Sequence, residues 1–518
     1  MPTLFEDLAA LLTGAGVRQA AVVASVHNLA LLETLDAAGV SLLAARSETG
    51  AAYLADGYAR VSGEPTLVIT STGPGAGNAV GAYSVAAKDG SPVIHVSTAN
   101  DRHPAHGLHD VPEQSEWMHA MGRDVHDVGR SGLSALAGAL ARAEWPFSVI
   151  VPSTDGPDVQ PYAATAVRAR ARPPLDASAL DPWLATDRRL LWIGGGARVV
   201  GRDRLVELAE RSGAAVVTSV QGKDLFPDGH SQFVACTVND RELAGIAADA
   251  EVCLVLGSRL TELSCAAWSR PLPAHIVRVA YSDEIPPYDS TETAVVHADV
   301  RDAVDHLLSM FASGRTRGSD HGTRCGAAAA DCCVARDRSG VEHRLLDAVT
   351  ASLEPGDVVV CDMTKLAFWS IGGMSVPPGV RHLFPGLLAM GFGLPAALGA
   401  SLAAPDAHVV AVVGDGGLVS ILSELDLAAG WPGRVSVALA DSDGYHFLRP
   451  SMNERVGPLV CEFGGPNWEL LAAACGAGYV DAPEPDALAA ALALPHRGVR
   501  IVRTDASDVG IGWRRATR

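Results

Sequence analysis

The sequence predicts an α/β protein built from three doubly wound parallel sheets, and three observations carry that prediction. Short Val/Ile/Leu/Ala runs alternate with longer Ala/Leu-rich segments of helical period along the whole chain. Its 518 residues exceed what one core organises, at roughly 100–200 residues per domain. Two stretches, Arg168–Asp176 (RARARPPLD) and Ser313–Gly340, break the pattern and read as linkers. Cutting there leaves three α/β pieces, expected at 1–167, 177–312 and 339–518.

Nine apolar runs are expected to be buried strands: Thr66–Ile69, Val93–Val96, Ser148–Val151, Leu190–Ile193, Ala215–Thr218, Val252–Leu256, Val358–Val360, Val409–Val413 and Val435–Ala440. The first and third pieces share no obvious sequence repeat, yet both fit a doubly wound sheet.

Composition narrows the function. The chain is 48% hydrophobic and 19% charged, which excludes a largely disordered protein. Its net charge of −19 argues against nucleic acid as a partner. No run approaches the ~20 apolar residues of a membrane span, and the N-terminal stretch MPTLFEDLAALL lacks a basic region, so no membrane role is expected. Nine cysteines without a CxxC pair suit reduced thiols, hence a cytoplasmic protein; Cys332–Cys333 is given no role.

The sharpest local feature is VVAVVGDGG, a strand running into Gly414, Asp415, Gly416 and Gly417, with a helix expected next around Ser423, Glu424 and Leu425. Such a turn suits phosphate, because backbone N–H groups and the helix dipole favour an anion. Asp415 repels bare phosphate and makes sense if Mg²⁺ sits between them. A strand-to-helix turn with Asp as cap fits this stretch about as well. Ser442 lies 27 positions further on, enough for a turn, a helix and a neighbouring parallel strand. A second constellation, SETGAAYLADGYARVSG, puts Glu48 in the first turn of a helix with small residues at Gly50, Ala51, Ala52, Ala55 and Ala59. That helix is expected to pack very close to a partner, and a capping role for Glu48 fits this stretch alone. TLVITSTGPGAGN follows as strand plus glycine-rich turn.

Together these segments, with QGKDLFPDGH, MGFGLPAALGA and DSDGY, resemble the thiamine diphosphate-dependent 2-oxo acid decarboxylases and carboligases, which include acetolactate synthase, benzoylformate decarboxylase and pyruvate decarboxylase. The resemblance spans nearly the whole chain. VHNLALLETL and HGLHDVPEQ look most like the acetolactate synthase-like branch that includes guanidino-2-oxo acid decarboxylases.

The resemblance implies a pyrimidine-binding first domain, a Rossmann-like middle domain and a diphosphate-binding third domain, with thiamine diphosphate and Mg²⁺ as cofactors. Glu48 matches the glutamate that bonds the aminopyrimidine ring, and burial is expected to raise its pKa. That activation implies a C2 ylid, attack on a 2-oxo acid, loss of carbon dioxide and an enamine. Gly73, Pro74, Gly75 and Asn78 in the first domain, and Leu388, Met390, Gly414, Asp415, Gly416, Gly417, Ser442, Gly444 and Tyr445 in the third, match cofactor-binding positions. Met390 matches the prop that holds the cofactor bent. Asp415, Ser442 and the Gly444 carbonyl match the metal ligands, with one departure. The family's Asn-Asn pair is here Asp441-Ser442, which puts metal affinity in doubt. His27 and Gln114 match polar substrate-handling positions; His106 and His109 fall in a loop where some decarboxylases place histidines.

Decarboxylation of a 2-oxo acid is therefore expected, with carboligation to a second carbonyl compound as the alternative and a non-catalytic homologue as a distant one. FAD is not assigned. The GGG turn of LWIGGG is weak evidence for a dinucleotide and reads as structural, and a nicotinamide-dependent oxidoreductase lacks a convincing GxGxxG. One cofactor must touch both the first and third domains, so a homodimer or tetramer with sites between chains is expected.

Overall fold

The computed structural model describes residues 2–510 except 100–108, 110, 112–113, 121–123, 144, 154–172, 281–291, 333–337, 450–451, 453–454 and 463. It contains three six-stranded sheets in which every strand pair is parallel.

The first sheet comprises β1 (Gln19–Val22), β2 (Ser41–Ala44), β3 (Thr66–Thr70), β4 (Val93–Ala99), β5 (Val125–Asp127) and β6 (Phe147–Pro152). The second has β7 (Arg189–Ile193), β8 (Ala215–Thr218), β9 (Phe233–Cys236), β10 (Val252–Leu256), β11 (His275–Ala280) and β12 (Glu292–His297). The third has β13 (Val358–Cys361), β14 (Arg381–Leu383), β15 (His408–Gly414), β16 (Arg434–Asp441), β17 (Gly478–Asp481) and β18 (Gly498–Asp505). All nine expected strands are present, and their central positions explain their legibility: buried on both faces, they read as unbroken apolar runs. The short strands β2, β5, β14 and β17, at or beside sheet edges, carry mixed polarity.

Strand order exposes a likeness between two domains that the sequence hides. The first sheet runs β2-β1-β3-β4-β6-β5 and the third β14-β13-β15-β16-β18-β17, the same topology. The helix after the second strand of each, Glu48–Ser62 and Gly393–Ala403, packs against its counterpart. A Cβ on Gly57 would lie 2.1 Å from the Ala396 carbonyl oxygen, and one on Gly399 would lie 1.9 Å from that of Leu54. Each helix thus presents a glycine to the other's backbone, which accounts for the run of small residues noted in the sequence.

The second sheet has the order β12-β11-β10-β7-β8-β9, that of dinucleotide-binding folds. At its switch point the LWIGGG glycines serve close packing: Cβ atoms on Gly194 and Gly196 would meet the Gly257 backbone at 2.3 and 3.0 Å. The stretch Ser313–Gly340, expected to be a linker, contains a helix, His321–Ala330. Gly322 and Gly326 bring it onto the second sheet, against the carbonyls of Ala214 and Ser231. Small residues obscured its period. Cys332 is buried, while Cys333, most of the Arg168–Asp176 linker and His106 lie outside the described residues. Among the described residues no helix is long and apolar enough to cross a membrane.

Candidate functional site

Two groups of side chains stand at the strand ends of the twin sheets. In the first, Ser47 caps the Glu48–Ser62 helix by accepting the Gly50 N–H at 3.0 Å. Glu48 follows in the first turn, half-buried, and its Oε2 accepts the Asn78 amide at 3.3 Å. Opposite stands Gly75, where a Cβ would lie 3.2 Å from Glu48 Oε1. Gly73 takes φ 57° ahead of Pro74, pressed against the His109 carbonyl, so a side chain there would collide with backbone. Gln114 holds this turn. Its Oε1 accepts Gly73 N–H at 2.7 Å and the Thr72 hydroxyl at 3.1 Å, while Nε2 donates to Ser97 and to the Thr98 carbonyl. Every polar position of the Gln114 amide is engaged within the protein, which makes it a clamp on the turn. His27 and His109 meet edge to face, ring centres 5.7 Å apart, the latter in a left-handed conformation.

The second group closes around Asp415, which is buried. Its Oδ2 accepts Gly444 N–H at 2.6 Å and Ser442 N–H at 3.3 Å, and Oδ1 accepts Gly416 N–H at 2.9 Å. Burial pushes the Asp415 carboxyl up, and these N–H donors oppose that shift. The Ser442 hydroxyl lies 3.3 Å from the Gly444 carbonyl oxygen. β15 and β16 are adjacent and parallel, as the 27-residue spacing predicts. Gly444, at φ 140°, lies flat against the Cys461 carbonyl. Asp441 is engaged elsewhere: its Oδ2 accepts Arg503 Nε–H at 2.9 Å and the Trp468 indole N–H at 3.2 Å. Gly414, Gly416 and Gly417 each face a neighbour, Thr364, Tyr445 and Asp362, so their missing side chains also serve inward packing. After Asp415 the chain forms a short helix, Asp415–Ser420. The expected longer helix is replaced by a 3₁₀ segment, Leu422–Ala428.

Asp415, Ser442 and the Gly444 carbonyl fit a divalent cation that takes one carboxylate and completes its shell with phosphate oxygens and water. Glu48, a half-buried carboxylate in a first helical turn, fits a partner that carries a hydrogen-bonding nitrogen.

Three further residues support the two groups, Asp362 within the third domain and Tyr53 and Glu424 across to the other, and the sequence alone assigns none of them a role. Buried Asp362, at the end of β13, accepts Gly391 N–H at 3.0 Å and Gly393 N–H at 3.1 Å. Burial raises its pKa to about 6, against those donors. It thereby holds the turn bearing Leu388, at φ 56°, and Met390, which is 43% exposed and so no core-filling methionine. The Tyr53 hydroxyl reaches the Met390 carbonyl at 3.5 Å. Glu424 is fully buried in the third domain, yet it accepts the Ser47 hydroxyl at 2.8 Å and Arg46 N–H at 3.2 Å, immediately before Glu48. VVVCD repeats the pattern of VVAVVGD, an apolar strand ending in an acid, and that signal was available for Asp362.

Twin sheets that each present a glycine-rich turn and a carboxylate at their strand ends define an α/β protein of the cofactor-binding class. Family models agree. Residues 2–122 match the N-terminal TPP-binding domain of thiamine pyrophosphate enzymes, 180–307 the central domain and 362–503 the C-terminal TPP-binding domain. The chain belongs to the thiamine pyrophosphate enzyme family. It is 28% identical over 458 residues to the probable 2-ketoarginine decarboxylase of Pseudomonas aeruginosa, covering 82% of this chain and 79% of that one. It is 24% identical over 436 residues to the acetolactate synthase isozyme 1 large subunit of Escherichia coli, covering 79% and 76%. With the sulfoacetaldehyde acetyltransferase of Rhodobacter capsulatus it shares 26% over 442 residues, covering 76% and 74%.

Proposed function

We propose that this protein is a thiamine diphosphate- and Mg²⁺-dependent enzyme that decarboxylates a 2-oxo acid. The observation that carries the reading is the half-buried Glu48 carboxylate at a helix start, one oxygen bonded to the Asn78 amide and the other packed against Gly75, whose missing side chain makes room for it. Bound thiamine diphosphate would supply the electron sink for the carboxylate's departure. The chain's own residues do the rest. Asp415, Ser442 and Gly444 would hold the metal, Met390 would support the bent cofactor, and Glu48 would exchange a proton with the ring nitrogen. Gln114 and Asp362 fix the turns on which these groups sit.

Glu48 is only half-buried within one chain, so the dry environment its role requires calls for another surface. A second copy of the chain supplies it in our reading, giving a homodimer or a pair of dimers with shared sites. Decarboxylation is favoured by the Pseudomonas relative, and a guanidino-2-oxo acid is the substrate to try first. Carboligation with a second carbonyl acceptor is the alternative, favoured by the acetolactate synthase and acetyltransferase relatives.

Mass-spectrometric product analysis with a panel of 2-oxo acids, with and without carbonyl acceptors, separates aldehyde from carboligation products. Glu48→Gln should lower turnover by about 10²–10⁴-fold while cofactor binding persists. Near-normal turnover in that variant, or no consumption of any 2-oxo acid by the parent, would refute the proposal.

A further inference from the structure

Lys88, Lys223 and Lys365 are the chain's lysines, against a total of 40 basic residues. The two buried ones are treated differently. Lys223, 1% exposed, has the Asp228 carboxylate at 3.4 Å and the Ile371 carbonyl at 3.1 Å. Lys365, 8% exposed, has two neutral acceptors, the carbonyls of Ala506 at 3.2 Å and Ser507 at 3.5 Å. Among the described residues no carboxylate lies within 4.0 Å of it. A buried ammonium is costly unless an anion compensates it, and it carries three donors, of which these carbonyls take two.

Its position adds a second cost. Lys365 opens the helix Lys365–Gly373, where the macrodipole is positive and a cation is disfavoured. That helix start lies beside the glycine-rich turn, since a Cβ on Gly414 would be 3.0 Å from Thr364 Oγ1. The Ala506 N–H is in turn bonded to the Asp441 carbonyl, which puts the ammonium among the ends of β13, β15, β16 and β18. Burial pushes the Lys365 ammonium down from the ordinary lysine range, and of the anions that oppose this Asp415 comes first, ahead of Asp508 and Asp505. A polyanion held at the turn would offset both costs.

We propose that Lys365 is a built-in cation of the diphosphate pocket, supplying charge that supplements the divalent ion where Ser442 offers the metal only a short hydroxyl. The inference rests on the cofactor reading above and deepens it: binding of the diphosphate group should be less strictly metal-dependent than Asp415 alone would make it.

The test compares the parent with Lys365→Met by titrating thiamine diphosphate, and separately inorganic diphosphate, in Mg²⁺ and in EDTA. Tryptophan fluorescence reports binding, and urea midpoints of both cofactor-free proteins report stability. The parent should retain measurable affinity in EDTA. Lys365→Met should bind about 10- to 100-fold more weakly in Mg²⁺, the loss expected for a charge-assisted hydrogen bond, and not detectably in EDTA. Its cofactor-free midpoint should equal or exceed the parent's, because an uncompensated buried charge has been removed. Equal affinity of the two proteins overturns the inference and leaves the cofactor reading standing. A midpoint that falls together with affinity overturns it as well, by making Lys365 structural. If the parent binds no thiamine diphosphate even in Mg²⁺, the cofactor reading itself falls.

Discussion

Gly57→Ala tests the contact on which both halves of the site depend. A methyl group there would stand 2.1 Å from the Ala396 carbonyl oxygen and 2.6 Å from its carbon, where ordinary contact begins near 3.4 Å. The obstacle is backbone in the middle of a helix and no rotamer relieves it, so the Glu48–Ser62 and Gly393–Ala403 helices must part by about 1.3 Å. Overpacking of this kind costs about 3 kcal/mol at the upper end of its usual range. Alanine's better helix propensity returns about 1 kcal/mol. The expected net loss is therefore about 2 kcal/mol, read as a lowered urea midpoint. Gly399→Ala, aimed at the Leu54 carbonyl, should do the same. The double variant should lose less than the two losses added, because the first separation makes room for the second methyl. Gly245→Ala supplies the opposite sign: that exposed helical glycine has nothing within 4 Å, and alanine should stabilise by about 0.5–1 kcal/mol. Thiamine diphosphate affinity should fall in Gly57→Ala as well, because parting the helices strains the Tyr53–Met390 contact. A Gly57→Ala midpoint at or above the parent's would refute the reasoning.

Asp415→Ala should abolish Mg²⁺-dependent thiamine diphosphate binding, whereas Ser442→Asn should retain or strengthen it, since an amide carbonyl reaches further than a hydroxyl; calorimetric titration at fixed Mg²⁺ checks both. Mixing inactive Glu48→Gln with inactive Asp415→Ala chains should restore activity, because some hybrid sites receive both intact residues; heterodimers that form yet stay inactive would exclude sites shared between chains. Burial lowers His95 to about 4 and His382 and His408 to about 3, so the unfolded chain, with histidines near 6.5, binds more protons than the folded one between those values. Stability from these groups is complete above pH ~6.5 and is lost on acidification, by about 2 kcal/mol for His95 alone at pH 5. Urea midpoints at pH 7 and 5 should show the fall, and His95→Gln should reduce its slope.

The residue order by itself determined the three-sheet α/β class, the central strands and the two chemistry-bearing turns. These are local matters: an apolar run buried on both faces announces itself, and a glycine-rich turn must lie within a few residues of its strand. The spacing from Asp415 to Ser442 was legible too, because one helical crossover joins neighbouring parallel strands. Only tertiary structure decided the rest. The matching strand orders of the first and third sheets are a property of pairing between distant segments, and the two segments share no obvious repeat in their letters. The helix His321–Ala330 escaped notice because its buried face, His321, Gly322, Cys325, Gly326 and Ala329, has no large apolar residue, and its two glycines are explained only by the backbone they touch. Asp362, Lys365 and Glu424 look like ordinary charged residues in a sequence. Their meaning comes from burial and from partners up to 378 positions away, since a charge acts through the dielectric around it, which folding alone creates.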